Sequence, residues 1–207
     1  MRHILFDLDG TLIDSAQSIL AGFSRVLEIY KITPKCKLTN ALIGPPLSDT
    51  LKIISGLNDG EPLQNLVNAF KFYYDEFGYK ESQEYPGTTQ ALRSLYASQR
   101  ELYIVTNKRR VPTQNILQLF KWTEFFRGVH STDSFGSAPY SKSQMISSVL
   151  SLNEIDARDA IYVGDTLGDW KAANENGVRF LGVPWGYDSW GGYKPELISS
   201  LNDISSL

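Results

Sequence analysis

The chain of 207 residues suits one domain, or a core with a modest insertion, and its 42% hydrophobic content is enough to bury a substantial interior. A net charge of −3 and a pI near 5.4 exclude the basic footprint of a nucleic-acid or anionic-membrane binder, so any positive potential must be local. The lone cysteine, Cys36, excludes an internal disulfide and a cysteine-built metal cluster.

The start Met1-Arg2-His3 has no signal-peptide pattern, and no apolar run reaches membrane-spanning length. The expected home is the cytoplasm, for a monomer or dimer without nucleic-acid or membrane partners. His3 and His130 lie far apart in sequence and read as structural rather than metal-binding. Residues 2–8 read as a buried strand, because Ile4, Leu5, Phe6 and Leu8 leave little polar surface before Gly10. Asp7 and Asp9 fall at its carboxyl end. Such a pair also suits a simple turn, but no basic residue of the segment is placed to neutralise it. Desolvating it is costly, so a cation or a reaction must account for it.

Ala16, Ile19, Phe23, Val26 and Leu27 then recur at helical spacing, with Asp14 or Ser15 as N-cap. A short helix is predicted at about 47–55, ending near Gly56, and another over 61–77 with Pro62 in its first turn and Gly78 as its stop. Residues 14–85 are therefore expected to be helical, without a convincing strand. From Tyr85-Pro86-Gly87 onward, helices and strands alternate. Strands are predicted at 102–105, near 128–130, at 160–163 and at 178–183. Helices carry Leu92 and Leu95, Ile116 and Leu117, Met145 and Ile146, and residues 167–176. The fold class is α/β: a Rossmann-like parallel sheet over 1–13 and 86–207, with 14–85 inserted as a small helical domain that caps it.

In such a sheet, ligands bind outside the carboxyl ends of the strands. The strand ending at Val105 leads into Thr106-Asn107-Lys108, whose hydroxyl, amide and ammonium suit phosphoryl oxygens. The strand ending at Val163 leads into Gly164-Asp165-Thr166-Leu167-Gly168-Asp169. Its two acids share one side of a helix start, where hard oxygen ligands could hold Mg²⁺ beside Asp7. Converging carboxylates also need a lysine, and Lys142 is the best placed between these two segments.

The string Asp7-Leu8-Asp9-Gly10-Thr11-Leu12-Ile13-Asp14-Ser15, followed in order by Thr106, Lys142 and the Asp165/Asp169 pair, resembles the four motifs of the haloacid dehalogenase superfamily. That resemblance implies Asp7 as a nucleophile forming a phosphoaspartate, and Asp9 as general acid and base with its backbone carbonyl on the metal. It further implies Thr106 on the phosphoryl oxygens, Lys142 on Asp7 and the phosphoryl group, and Asp165 with Asp169 positioning Mg²⁺. Asp9 argues against a dehalogenase, which lacks that acid. The helical insertion and Gly182-Val183-Pro184-Trp185-Gly186-Tyr187 are similar to phosphoglycolate-phosphatase-like members with the first class of cap. The implied activity is Mg²⁺-dependent hydrolysis of a small phosphorylated metabolite such as phosphoglycolate. A phosphomutase of the β-phosphoglucomutase type would use the same residues. Ser141 and Ser143 depart from the frequent Lys-Pro-x-Pro around the motif lysine, and Trp190 and Tyr193 match no functional pattern. In the insertion, Gly44-Pro45-Pro46 is expected over Asp7, with Lys52 meeting an anionic group of the substrate.

Overall fold

The computed structural model describes residues 1–134, 140–188 and 190–206. A five-stranded parallel sheet in the order β5-β4-β1-β6-β7 forms its centre, built from β1 (His3–Phe6), β4 (Glu101–Thr106), β5 (Phe126–Ser131), β6 (Ala160–Gly164) and β7 (Arg179–Gly182). β1 is the middle strand; Leu5 pairs with Tyr103 on one side and with Tyr162 on the other. β1, β4 and β6 read as nearly unbroken apolar runs because both faces are covered, whereas the edge strand β5 carries Arg127 and His130. Ile4 and Phe6 point into a layer with Leu92, Ile104, Ile116 and Trp122, whereas Leu5 points the other way, toward Met145, Ile146 and Val149. The first layer holds α4 (Thr88–Ala97) and α5 (Arg110–Leu119), and the second holds α6 (Lys142–Leu152) and α7 (Leu167–Glu175). After β1 the chain fills the β4–β5 side, then crosses to β6–β7, which leaves a crevice at the carboxyl end of β1.

The helical block consists of α1 (Ala16–Ile29), α2 (Leu47–Ser55) and α3 (Glu61–Glu76). It has its own interior, in which Val26, Leu51, Ile54 and Leu66 are fully buried. Phe70 stacks between Phe23 and Tyr74, with ring centroids 4.8 and 5.5 Å apart. Gly56 ends α2 at φ 73°, a left-handed conformation that costs glycine no Cβ clash.

Three expectations need correction. The insertion is not strand-free at its ends: Ile13–Asp14 (β2) and Gln83–Glu84 (β3) pair antiparallel where the chain enters and leaves the block. Two-residue strands are too short to give an alternation signal. α3 stops at Glu76, and Gly78 instead opens a short 3₁₀ turn. The first strand is confined to His3–Phe6, although Asp7 still donates its N–H to the Val163 carbonyl at 2.9 Å. The aromatic tail has a packing role, since buried Trp190 meets Phe180 edge-on and Tyr193 lies against Trp170. Among the described residues, no helix is long and apolar enough to cross a membrane.

Candidate active site

The carboxyl ends of β1 and β6 bring Asp7, Asp165 and Asp169 together. One oxygen from each lies within 4.8 Å of the others, and all three residues are buried. Asp169 is the third residue of α7, whose N-cap Thr166 donates from Oγ1 to its carboxylate at 2.7 Å. It therefore caps its helix and faces the cluster at once. Asp165 accepts the Tyr187 N–H at 2.8 Å and the Thr11 hydroxyl at 3.4 Å. Gly10 turns at φ +81°, and a Cβ there, or at Gly186, would collide with the Asp165 side chain. Both glycines are thus required by the close approach of the backbone to a carboxylate.

Lys142, first residue of α6, reaches Asp7 Oδ2 at 3.1 Å and also pairs with Asp169. Ser141 caps that helix in a capping box with Gln144, so the serine that departs from the common pattern still fixes where the lysine starts. Asp7 Oδ1 is buried and has no hydrogen-bond partner among the described residues. Burial pushes the Asp7 carboxyl up to about 6, Lys142 opposes that rise, and Asp169 and Asp9 add to it. Burial likewise raises Asp165 well above the usual carboxylate range, helped by Asp169 and Asp7. Lys142 is lowered by burial but raised more by Asp169 and Asp7, so the net shift is upward and it stays charged. A single lysine against three buried acids leaves negative charge uncompensated, and the orphaned Asp7 oxygen points to what is lacking. An all-oxygen donor set of this kind fits a hard divalent cation such as Mg²⁺.

The Asp9 side chain belongs to a different group. Lys108 Nζ contacts both its oxygens, at 2.8 and 3.0 Å, and the Ser15 hydroxyl donates to it as well. Lys108 also lies 3.0 Å from the Tyr74 hydroxyl on α3, over whose ring it sits at 4.6 Å. Thr106 is buried at the end of β4, and its Oγ1 accepts the Lys108 N–H at 3.2 Å. Asn107 Nδ2 donates to the Gly44 carbonyl at 2.9 Å, and Arg109 makes two contacts with Asp75, at 2.5 and 2.9 Å. Three consecutive residues after β4 thus each grip the helical block.

Lys52 does not face this cleft. It pairs with Asp59 at 2.7 Å and does not line the cavity above Asp7, because its place on α2 turns it toward the loop that follows. Gly44 does line that cavity, together with Pro45 and Pro46. The contacts of Lys108, Ser15 and Tyr187 escape a reading of the sequence. Lys108 and Asp9 are 99 positions apart, and Tyr187, whose hydroxyl accepts the Ser15 N–H at 2.8 Å, is 172 from its partner. The aromatic run after β7 is the one visible trace: Trp185 donates from Nε1 to the Thr11 carbonyl at 3.2 Å, buttressing the turn that carries Asp9.

The profile of the haloacid dehalogenase-like hydrolases matches residues 4–183, within which all these acids and lysines fall. The chain belongs to that family, as a phosphoglycolate-phosphatase-like member. It is 29% identical over 194 residues to a phosphoglycolate phosphatase of Nitrosospira multiformis, covering 91% of this chain and 85% of that one. A 5'-nucleotidase of Pseudomonas aeruginosa is 27% identical over 188 residues, with 90% and 84% covered. Among solved structures, a haloacid dehalogenase-like hydrolase from Streptococcus pneumoniae superposes with a TM-score of 0.85 at 26% identity, covering 100% of this chain and 97% of that one.

Proposed function

We propose that this hydrolase is a Mg²⁺-dependent phosphomonoesterase acting on a small phosphorylated metabolite in the cytoplasm, with residues 14–85 as a cap over its site. The observation that carries the reading is the unpartnered Asp7 oxygen beside Asp165 and Asp169, with Lys142 on the other Asp7 oxygen. Asp7, Asp165 and Asp169, with the Asp9 backbone carbonyl, would hold the cation. Its positive charge would draw in the phosphate dianion and offset the charge that develops on the phosphoryl oxygens.

Asp7 attacks phosphorus to form an aspartyl phosphate, which divides one hard displacement into two easier ones. Lys142 orients that carboxylate, while the Thr106 hydroxyl and the Asn107 amide donate to the phosphoryl oxygens. Asp9 gives a proton to the departing alkoxide and then takes one from the water that cleaves the intermediate. Ser15 and Lys108 fix the position of its carboxylate at the edge of the cleft. Of the relatives named above, one is a phosphoglycolate phosphatase, which supports transfer to water over a phosphomutase.

Asp7→Asn keeps the shape of the side chain and removes the attacking charge. Phosphate release from p-nitrophenyl phosphate should fall at least about 10⁴-fold in kcat, without a loss of thermal stability, since a buried repulsive charge is also removed. The same assay in EDTA should be silent and should recover with Mg²⁺. Turnover near wild type in the Asn variant would refute the mechanism.

A further inference from the structure

The preceding reading leaves the alcohol half of the ester open, and the helical block speaks to it. A cavity of about 320 Å³ lies between the block and the sheet, bounded at one end by Asp7, Asp9 and Thr106. The block's share of the lining is mostly apolar, with Ile19, Phe23, Leu47, Val67 and Phe70 prominent in it and Ser48, Thr50 and Lys71 as polar members. The stacked rings of Phe23, Phe70 and Tyr74 make much of that wall aromatic and hold it stiff. A second cavity, of about 470 Å³, is bordered by the same Gly44–Pro45 turn and is lined by Asn40, Lys142, Thr166 and Asp169, but neither Asp7 nor Asp9 borders it. An ester whose phosphorus sits at Asp7 therefore projects its leaving group into the first cavity.

The cations of that first cavity are largely spoken for. Lys108 is held by Asp9 and Tyr74, and Arg109 by Asp75. Lys52, which would have greeted a carboxylate, faces Asp59 instead. The half-buried Lys71 is the lining cation with no ion-pair partner among the described residues. A carboxylate placed against the apolar wall would give up its hydration with little in return. A hydrocarbon placed there gains by leaving water.

Resting on the phosphomonoesterase reading, we propose that the leaving group is an apolar-bodied aliphatic alcohol of several carbons rather than a two-carbon hydroxyacid. The block then selects substrate chiefly by burying hydrocarbon.

The test is a series of n-alkyl phosphates from ethyl to octyl, assayed with Mg²⁺ beside phosphoglycolate and p-nitrophenyl phosphate. Basicity of the alkoxide is nearly constant along the series, so its slope isolates burial from leaving-group chemistry. kcat/KM should rise about 2- to 4-fold per methylene over at least the first three steps, and phosphoglycolate should fall below butyl phosphate. Val67→Thr, which puts a hydroxyl in the wall at nearly constant volume, should flatten the rise. A flat or falling series overturns the inference, as does phosphoglycolate exceeding every alkyl ester, whether through Lys71 or otherwise. Release from p-nitrophenyl phosphate with none from any alkyl ester also overturns it and leaves the phosphatase reading intact. No release from any compound rejects the phosphatase reading, and this inference with it.

Discussion

The carboxyl end of the sheet and helices α1–α3 face the same cleft, but they hold their side chains by different forces. At the sheet end, each charge is fixed by a partner: Lys142 by Asp7 and Asp169, Asp165 by a backbone N–H, and Asp169 by the cap of its own helix. On the helical side the wall is hydrocarbon packed on a separate core. Polar contacts made by Asn107, Lys108, Arg109 and Asn115, and by Ser15 with Asp9 and Tyr187, tie one side to the other. Chemistry demands fixed charge, and electrostatic preorganisation costs stability where those charges are desolvated. Recognition of a leaving group demands a surface that can part from the site and return. The division of labour follows from those two demands.

The comparison is broken most severely at Lys142. Lys142→Met leaves two buried carboxylates without their cation, and breaking a buried pair costs about 3–5 kcal/mol, or about 6–20 °C in Tm for a chain of this size. Calorimetry of the metal-free variant should find that loss together with lost turnover. An unchanged Tm would mean that the pairing contributes nothing. Arg109→Met should leave the sheet end whole and loosen the helical side. A charge-assisted contact is worth about 1.5–3 kcal/mol, so kcat/KM should fall about 10- to 150-fold. Exchange protection of α1–α3 should drop while that of β1 and β6 stays, and equal loss in both regions would refute a latch.

The smallest effect concerns pH. The Asp7 carboxyl is raised from 3.8 to about 6 in the folded protein, so the folded state binds that proton more tightly than the unfolded chain does. Its contribution to stability is fully present below the unfolded value and is lost as pH rises through the folded one. Asp165 shifts in the same direction. Metal-free protein should therefore lose stability between about pH 4 and 6 from Asp7, and Asp165 adds a loss of the same sign. Added Mg²⁺ should raise Tm by about 2–5 °C more at pH 7.5 than at pH 5. An equal gain at both values would deny that the cation replaces the proton.

Much of the core was legible because its physics is local. A strand covered on both faces must be apolar throughout, and Ile4–Phe6 and Ala160–Val163 are so. Asp165 and Asp169 declare themselves because a four-residue spacing around a helix start sets them on one side. Lys142 could be picked out by position, although its contact with Asp7 needed the fold. What stayed hidden depends on distance along the chain or on direction. Nothing near Lys108 signals that it will grip Asp9 and Tyr74 together. Lys52 looked well placed in sequence but points to Asp59, because successive residues of a helix differ in direction by about 100° and Lys52 lies two beyond Thr50, which lines the cavity. The pairing of β2 with β3 was invisible for want of length.

That small pairing has a consequence for how such proteins can diversify. Ile13–Asp14 and Gln83–Glu84 lie side by side, so the chain departs from the sheet and returns to it through neighbouring strands, about 5 Å apart. Any replacement for the intervening segment has only to present two ends at that spacing. The entropy of closing a loop grows slowly, by about 0.6 kcal/mol for each doubling of length. The sheet would thus be nearly indifferent to the size of what is grafted at this junction. A different lid could be exchanged there as a cassette, changing what the enzyme accepts while the carboxylates beneath keep their places.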